Sequence, residues 1–388
     1  MKVEFEQAKE ILRQNFNIKA SKIVPIEVAV GEILADDILA IKNLPAFDNS
    51  ALDGYAVIYD NKEDGYELID SIFAGEKKQL SISGNQCVKI MTGALFPKGA
   101  DTVIRLEDAI IKDGKIYANE KLKKGEAHRF CGEEIKAGEL LIEANTKLTA
   151  AHIMLLASQG ISHISILNKP SIAIFSSGDE LKEPWQSADD FEIYNANAYG
   201  IGALLKEKGL NFSYKGIIKD KLQDTIEALR NAQNFDVIFC SGGASKGEAD
   251  YMKDALIKLG YKELFEHINI RPGGPCKAFA KDKKIVFILP GNPMAAFLCA
   301  MLLALPLISG TPLQIQTGKI CENIKFKQGR SNIVFCNINE NGEISVTDGN
   351  KFGSGMITPI IKSNAIYLSQ PHESELLKDS LIKILKIS

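Results

Sequence analysis

At 388 residues the chain has room for several domains of about 100–200 residues each, and its 45% apolar and 24% charged residues are those of an ordinary soluble globular protein. The net charge of −3 leaves no basic excess to neutralise nucleic-acid phosphates, so no nucleic acid is expected as a partner and an anionic ligand must be drawn by local basic residues. Seven scattered cysteines without a Cys-x-x-Cys pair exclude a zinc framework and suit structural thiols in a reducing, cytoplasmic setting.

The first residues lack an apolar signal core. The longest apolar run, 294–308, contains Pro306 and is too short for a bilayer, so it reads as a buried helix and no membrane is expected. Phe5, Ala8, Leu12 and Phe16 repeat at helical spacing and predict an opening amphipathic helix, with a second helix over 31–39. From Tyr55 to Ala118 the chain is rich in Val, Ile, Tyr and Gly, a β-dominated stretch in which Asp113-Gly114 marks a two-residue hairpin. At Thr149, a credible N-cap, helical spacing returns and stops at Gly160. His152 and His163 nearby read as packing or surface residues.

Beyond Pro170 one pattern repeats three times. The apolar run 171–175 precedes Ser176-Ser177-Gly178-Asp179-Glu180, the run 237–240 precedes Ser241-Gly242-Gly243, and the run 285–289 precedes Pro290-Gly291-Asn292-Pro293. Helical stretches over 197–208 and 222–232 can serve as right-handed crossovers, so the three loops are expected on one edge of a parallel sheet, where open α/β folds bind ligands. Gly242 and Gly247 have Walker-loop spacing, but Glu248 and Ala249 follow where Lys and Ser/Thr are needed, and no Gly-x-Gly-x-x-Gly follows any strand. An ordinary P-loop NTPase and a dinucleotide dehydrogenase are therefore not expected. After Thr317, short strand-like runs alternate with Gly and Asn turns, among them Asn341-Gly342.

The expected architecture is an α/β multidomain protein. Residues 1–43 with 140–168 form a mixed helical linking domain and 44–139 a β-rich inserted domain. Residues 169–316 form a central doubly wound, mostly parallel sheet with helices on both faces, and 317–388 a small all-β, barrel-like C-terminal domain.

Leu44-Pro45-Ala46-Phe47-Asp48-Asn49-Ser50-Ala51-Leu52-Asp53-Gly54-Tyr55-Ala56, Ile90-Met91-Thr92-Gly93-Ala94, Ser177-Gly178-Asp179-Glu180-Leu181, Ser241-Gly242-Gly243 with Gly247 and Asp250, and Pro290-Gly291-Asn292-Pro293 occur in that order. Together they resemble the molybdopterin molybdenumtransferases, bacterial relatives of the gephyrin E domain, over nearly the whole chain. The resemblance implies an enzyme that inserts molybdenum from molybdate into the dithiolene of adenylylated molybdopterin with a divalent cation such as Mg²⁺, releasing AMP. It implies a homodimer whose cleft combines the α/β domain of one subunit with the β insertion of the other, and a molybdopterin adenylyltransferase as a partner.

The residue chemistry agrees with that implication. Carboxylates in a crevice for anions require a cation between, and Glu180, Asp220 and Asp250 are the metal candidates, with Asp179 beside them and Asp53 presented from the other subunit. Their alternative role is helix capping, since Asp220 precedes a helix and Asp250 lies in a first turn. Ser177, Gly178, Ser241, Gly242, Gly243 and Ser245 are donor candidates for pterin phosphate or AMP. Arg129, Arg271 and Lys277 are the cationic partners for oxyanions. Thr92 offers a hydroxyl to molybdate or, alternatively, stabilises its own turn. Glu134, Asn292 and Ser354 complete the candidate set, with Pro290 and Pro293 as rigid elements of the third loop. Three departures from the family pattern stand out. Glu134 replaces an Asp, Gly274 stands where many members carry a second basic residue that Lys277 would supply, and Leu52 replaces Met. Two other readings compete: a nucleotide pyrophosphatase on the same α/β domain, and a non-catalytic gephyrin-like scaffold.

Overall fold

The structure, a computed structural model, describes residues 1–16, 21–61, 63–119, 121–242 and 251–387. Its backbone divides into two compact units, Ser21–Leu167 and Met1–Ala20 with Asn168–Ser388.

The larger unit opens with α1 (Phe5–Asn15), whose Phe5, Ala8 and Leu12 are buried as their spacing predicts. Strand β1 (Ile172–Ser177), α2 (Ala196–Glu207), β2 (Ser213–Ile218), α3 (Leu222–Asn231), β3 (Val237–Ser241) and α4 (Tyr251–Lys258) alternate along the chain. Then β4 (Lys262–Phe265), β5 (Lys277–Lys281), β6 (Lys284–Leu289) and α5 (Pro293–Cys299) follow. The six strands form one sheet in the order β2-β1-β3-β6-β5-β4, parallel from β2 to β6, with β5 and β4 antiparallel at one side.

Why the strand sequences are unbroken apolar runs follows from the layers. Ile172, Ile174, Val237, Phe239, Ile285 and Phe287 face one core, which contains α1, α2 and α5. Ala173, Phe175, Ile238, Cys240, Val286 and Ile288 face the other, with α3 and α4. Both faces are covered, so alternation disappears and a continuous hydrophobic strand is the stable sequence. Helix α5 runs on through a π-helical turn (Ala300–Ala304) into Leu305–Ser309, where Pro306 sits, and the whole run is mostly buried.

The tail forms a closed five-stranded barrel of Ile315–Ile320, Ser331–Ile338, Glu343–Val346, Ala365–Leu368 and Leu381–Lys386. One face of Ser331–Ile338 fills this barrel with Val334, Cys336 and Ile338. The other sends Ile333 and Phe335 into the α/β core. The barrel therefore belongs to the same compact unit as the sheet rather than standing apart.

The smaller unit holds a four-stranded sheet in the order Glu67–Ile72, Gln86–Ile90, Gly54–Val57, Thr102–Arg105. Lys112 pairs with Lys115 across Asp113-Gly114, both at positive φ, as a two-residue hairpin requires. In the same unit Ala150–Ser158 is helical, and His152 at its third position accepts the Thr149 N–H at 3.0 Å, a surface residue with a capping role.

Two expectations fail here. Residues 31–39 are not a helix. Leu34 and Ile38 have helical spacing, but the Gly31, Leu34 and Ala35 N–H groups bond to Leu148, Thr146 and Ser165 carbonyls, and Gly31 takes φ +83°. Long-range pairing wins over local periodicity. Helix α1 also does not join residues 140–168: its apolar stripe packs with Ile174, Phe239 and Phe265 of the α/β core. Leu12→Ala should accordingly destabilise the sheet-containing unit by about 2–5 kcal/mol, the cost of emptying a fully buried Leu site. The check is the urea midpoint followed by a probe in that unit.

Candidate active site

The ends of β1, β3 and β6 lie side by side, with Ser176, Ser241 and Leu289 in register. The three strand ends are on one edge, as predicted, with the chain after β3 described as far as Gly242. They approach so closely that Gly242, at φ +96°, could not carry a side chain: a Cβ there would stand 2.2 Å from the Ser177 carbonyl oxygen. At Gly178 the Glu180 carboxylate folds back over the backbone, with Oε2 2.6 Å from where a Cβ would stand.

Two pockets open along this edge. The first, about 510 Å³, is lined by Ser177, Gly178, Glu180, Asp220, Ser241 and Gly242 together with Tyr194, Asn195, Asn197, Gly291, Asn292 and Pro293. Asp220 does not cap α3, whose N-cap residue is Lys221 with no side-chain cap bond. Instead its carboxylate accepts the Ser177 hydroxyl at 2.9 Å, and its N–H donates to Asp179 at 3.3 Å. Glu180 has no side-chain partner among the described residues. Asn197 donates its amide to the Gly291 carbonyl at 2.8 Å, while its Oδ1 is buried without a partner among them.

The second pocket, about 370 Å³, is lined by Lys2, His267, Asn269, Arg271, Gly274, Pro290, Asn292, Arg330, Phe352 and Ser354. Asn292 borders both, and its amide donates to Ser354 Oγ at 2.8 Å. The cations arrive from distant parts of the chain. Lys2 pairs with His267 in a short parallel ladder, and Arg271 pairs with Asn332, which brings Arg330 alongside. Burial and then the like charge of Arg271 push the Arg330 pKa down from its ordinary value. Two like-charged guanidinium groups on one pocket favour an anion there.

The pocket also accounts for Gly274. A Cβ there would lie 2.8 Å from the tip of the His267 ring, so a side chain at 274 would require that ring to move. Lys277 is a buried residue at the start of β5 with a partner of its own, and it lines neither of these two pockets. Arg330 and Lys2 supply the charge. Sequence reading misses both, since Lys2 sits in a two-residue strand with no motif and Arg330 in an ordinary Gly329-Arg330-Ser331 turn.

Gly243, Ser245 and Asp250 lie outside the described residues. Among those described, no group of three or more His, Cys, Asp or Glu could hold a metal, which leaves Glu180 and Asp220 as two carboxylates on one pocket.

The remaining candidates belong to the smaller unit. Asp53 precedes the strand Gly54–Val57 and Thr92 follows its antiparallel neighbour, Gln86–Ile90. The pairing brings Thr92 to Asp53, and Asp53 Oδ1 accepts both the Thr92 hydroxyl and its N–H at 2.7 Å. The Thr92 proton is thus directed at Asp53 and not at an incoming oxyanion. The hydroxyl bond first, then the N–H, lowers the Asp53 pKa. Arg129 is exposed on a two-residue strand that pairs with Asn49 and Ser50, and the Glu134 N–H bonds to the Leu44 carbonyl. Both therefore border the 44–56 segment.

Residues 3–160 match the family described as the MoeA N-terminal region (domain I and II), and residues 173–310 match a probable molybdopterin binding domain. The chain is 34% identical over 353 residues to a molybdopterin molybdenumtransferase of Haemophilus influenzae, covering 87% of each chain. It is 34% identical over 286 residues to one from a Nostoc species, covering 71% of this chain and 66% of that one. A crystal structure of the molybdopterin biosynthesis MoeA protein from Pyrococcus horikoshii superposes with a TM-score of 0.82 at 26% identity, covering 100% of this chain and 99% of that one. Among the described residues no helix is long and apolar enough to cross a membrane.

Removing the Thr92 hydroxyl with Thr92→Val should raise the Asp53 pKa toward the usual carboxylate range, seen by carboxyl-carbon NMR titration. The sign for stability follows from the lowered value: the Asp53 contribution is present above its unfolded pKa and is lost as pH falls through the folded one. The variant should therefore flatten the acid-side pH dependence of unfolding by losing stability at neutral pH, with its stability at acid pH, where Asp53 is protonated in both proteins, little changed.

Proposed function

Because the chain belongs to the molybdopterin molybdenumtransferase family, we propose that it transfers molybdenum from molybdate to the dithiolene of adenylylated molybdopterin, with cleavage of the phosphoanhydride and release of AMP. One observation carries the reading beyond the family: an acid-lined and a cation-lined pocket meet at Asn292 on the same strand-end edge. A reaction that takes a tetrahedral oxyanion and cleaves a phosphoanhydride would use both: cations for the oxyanion, and carboxylates for a divalent cation that would neutralise the phosphoanhydride.

Lys2, Arg271 and Arg330 hold the oxyanion by charge, with the guanidinium forks matching its tetrahedral oxygens. Ser354 and Asn292, already hydrogen-bonded to each other, orient it at the boundary of the two pockets. Glu180 and Asp220 suit a hard divalent cation such as Mg²⁺, which takes one or two carboxylates and fills its shell with substrate phosphate oxygens and water. One Asp220 oxygen is engaged by Ser177 and the Glu180 carboxylate is unpaired among the described residues, so free oxygens face the pocket. When bound, the cation neutralises and polarises the phosphoanhydride. Asp250, Gly243 and Ser245 are assigned to the same centre from the family resemblance.

The reading extends to a homodimer in the cytoplasm, supplied by a molybdopterin adenylyltransferase, in which Asp53 and Thr92 of one subunit complete the cleft of the other. The support is that this pair lies in the smaller unit while both pockets lie in the larger one.

The test is a purified assay that follows AMP release and cofactor formation. Glu180→Gln should lower turnover by about 100-fold or more, since even outer-shell partners of a metal are worth about 10–100-fold. Arg330→Ala should instead raise the KM for molybdate. Normal turnover in folded Glu180→Gln together with an unchanged KM for molybdate in folded Arg330→Ala would end the assignment of these pockets.

The shared cleft has its own check. Asp53→Ala and Asp250→Ala homodimers should each be inactive. After random subunit exchange half the dimers are mixed and one of their two clefts carries neither change, so about one quarter of wild-type activity should return. Continued inactivity with heterodimers confirmed by mass would place both residues within one subunit's site.

A further inference from the structure

A chain of hydrogen bonds runs from the acid-lined pocket into the protein, and counting its protons fixes which way each bond points. Asn195 is the N-cap of α2, and its Oδ1 accepts the Ala198 N–H at 3.3 Å. A backbone N–H can only donate, so that side of the amide is oxygen and the other is NH₂. The NH₂ donates to Tyr214 Oη at 2.8 Å, and the Tyr214 hydroxyl donates to Glu183, which also accepts the Tyr199 hydroxyl at 3.1 Å. Burial and then the Glu183 carboxylate raise the Tyr214 pKa, which keeps its phenol protonated as a donor.

Ser176 Oγ lies 2.9 Å from Asn195 Oδ1, and an amide oxygen cannot donate, so the single Ser176 proton points at Asn195. Ser241 Oγ is 3.1 Å from Ser176 Oγ, and the only proton left for that bond is the one on Ser241. Ser176 is fully buried and lines neither pocket, so water does not relieve a wrong choice at its hydroxyl, and an unpaired buried hydroxyl costs about 1–3 kcal/mol.

The structure assigns Ser241 as a specificity-determining residue that presents only acceptor lone pairs to the pocket and reads an N–H or O–H donor of the substrate. This deepens the proposed function, on which the identity of the pocket rests, and differs from the sequence-based expectation that Ser241 offers a donor to pterin phosphate or AMP. Its neighbours share the polarity. The Ser177 proton is spent on Asp220, Asn197 offers a buried unpaired Oδ1, and Glu180 and Asp220 are carboxylates. Phosphate oxygens, which have no proton to give, are served by the cationic pocket or by a cation. The donor-bearing parts of an adenylylated pterin are its nucleoside and its pterin ring, and Ser241 suits the N–H or O–H chemistry that the two have in common.

Neutron diffraction from crystals grown in D₂O tests the polarity directly. The deuteron on Ser241 should point at Ser176 and that on Ser176 at Asn195; a Ser241 deuteron turned into the pocket overturns the inference. Titration of wild type and Ser241→Ala with adenosine, 6-hydroxymethylpterin and inorganic phosphate tests the recognition. One of the first two should bind about three- to tenfold more weakly to the variant, the worth of one neutral hydrogen bond, and which one it is identifies the source of the donor. Phosphate binding should be unchanged. Weakened phosphate binding, or neither organic probe affected, overturns the inference. An inward Ser241 deuteron in a protein that releases no AMP would count against the transferase reading alone, whereas an outward deuteron in an active enzyme would count against this one alone.

Discussion

Everything at the candidate site depends on how closely three parallel strands end together. Ser176, Ser241 and Leu289 are in register, and the chain leaving β3 passes the Ser177 carbonyl at a distance that admits only glycine at position 242. That approach brings the acidic loop after β1 and the Pro290-Gly291-Asn292-Pro293 loop after β6 to one pocket. A parallel sheet covered on both faces is what permits it, because loops at the carboxyl edge have nowhere to go but beside one another.

The electrostatic division of the edge is a second consequence. Acceptors and carboxylates collect on the side of β1 and β3, while cations collect beyond β6, and Asn292 stands between them. Opposite charges so near one another would pair directly if the side chains reached. Here Asp220 is held by Ser177, and Arg330 by Asn332 at 3.3 Å, so each group stays on its own side. The separation is structural, maintained by short local bonds, and it leaves both pockets able to take charge from a ligand.

The polar chain from Glu183 to Ser241 belongs to the same logic. A buried hydroxyl has one proton, and once its use is dictated from behind, its front can only accept. The Asp53–Thr92 pair in the smaller unit repeats this economy, with the threonine proton spent on a neighbouring carboxylate. In both places the residue type alone suggests a donor to the ligand, while a neighbouring atom lies within hydrogen-bond distance of the same hydroxyl.

The sequence by itself determined the three-strand repeat, the covered parallel sheet, the hairpin at Asp113-Gly114, the buried helix through Pro306 and the β tail, because each is written in local periodicity or turn chemistry. It also placed Glu180, Asp220, Ser177, Ser241, Gly242, Asn292 and Ser354 in one candidate set, and all of them line the two pockets. Tertiary structure decided what local pattern cannot carry. Residues 31–39 show helical spacing yet form bridges, because their N–H groups find carbonyls more than a hundred residues away. Helix α1 has an apolar stripe that any core would accept, and only packing chose the α/β core. Lys2 and Arg330 join Arg271 through two-residue ladders too short to leave a signal, and Lys277, nearer in sequence, is buried in a strand instead. The direction of a hydroxyl proton is the extreme case. It depends on every acceptor and donor within about 3 Å, and those neighbours come together only when the chain has folded.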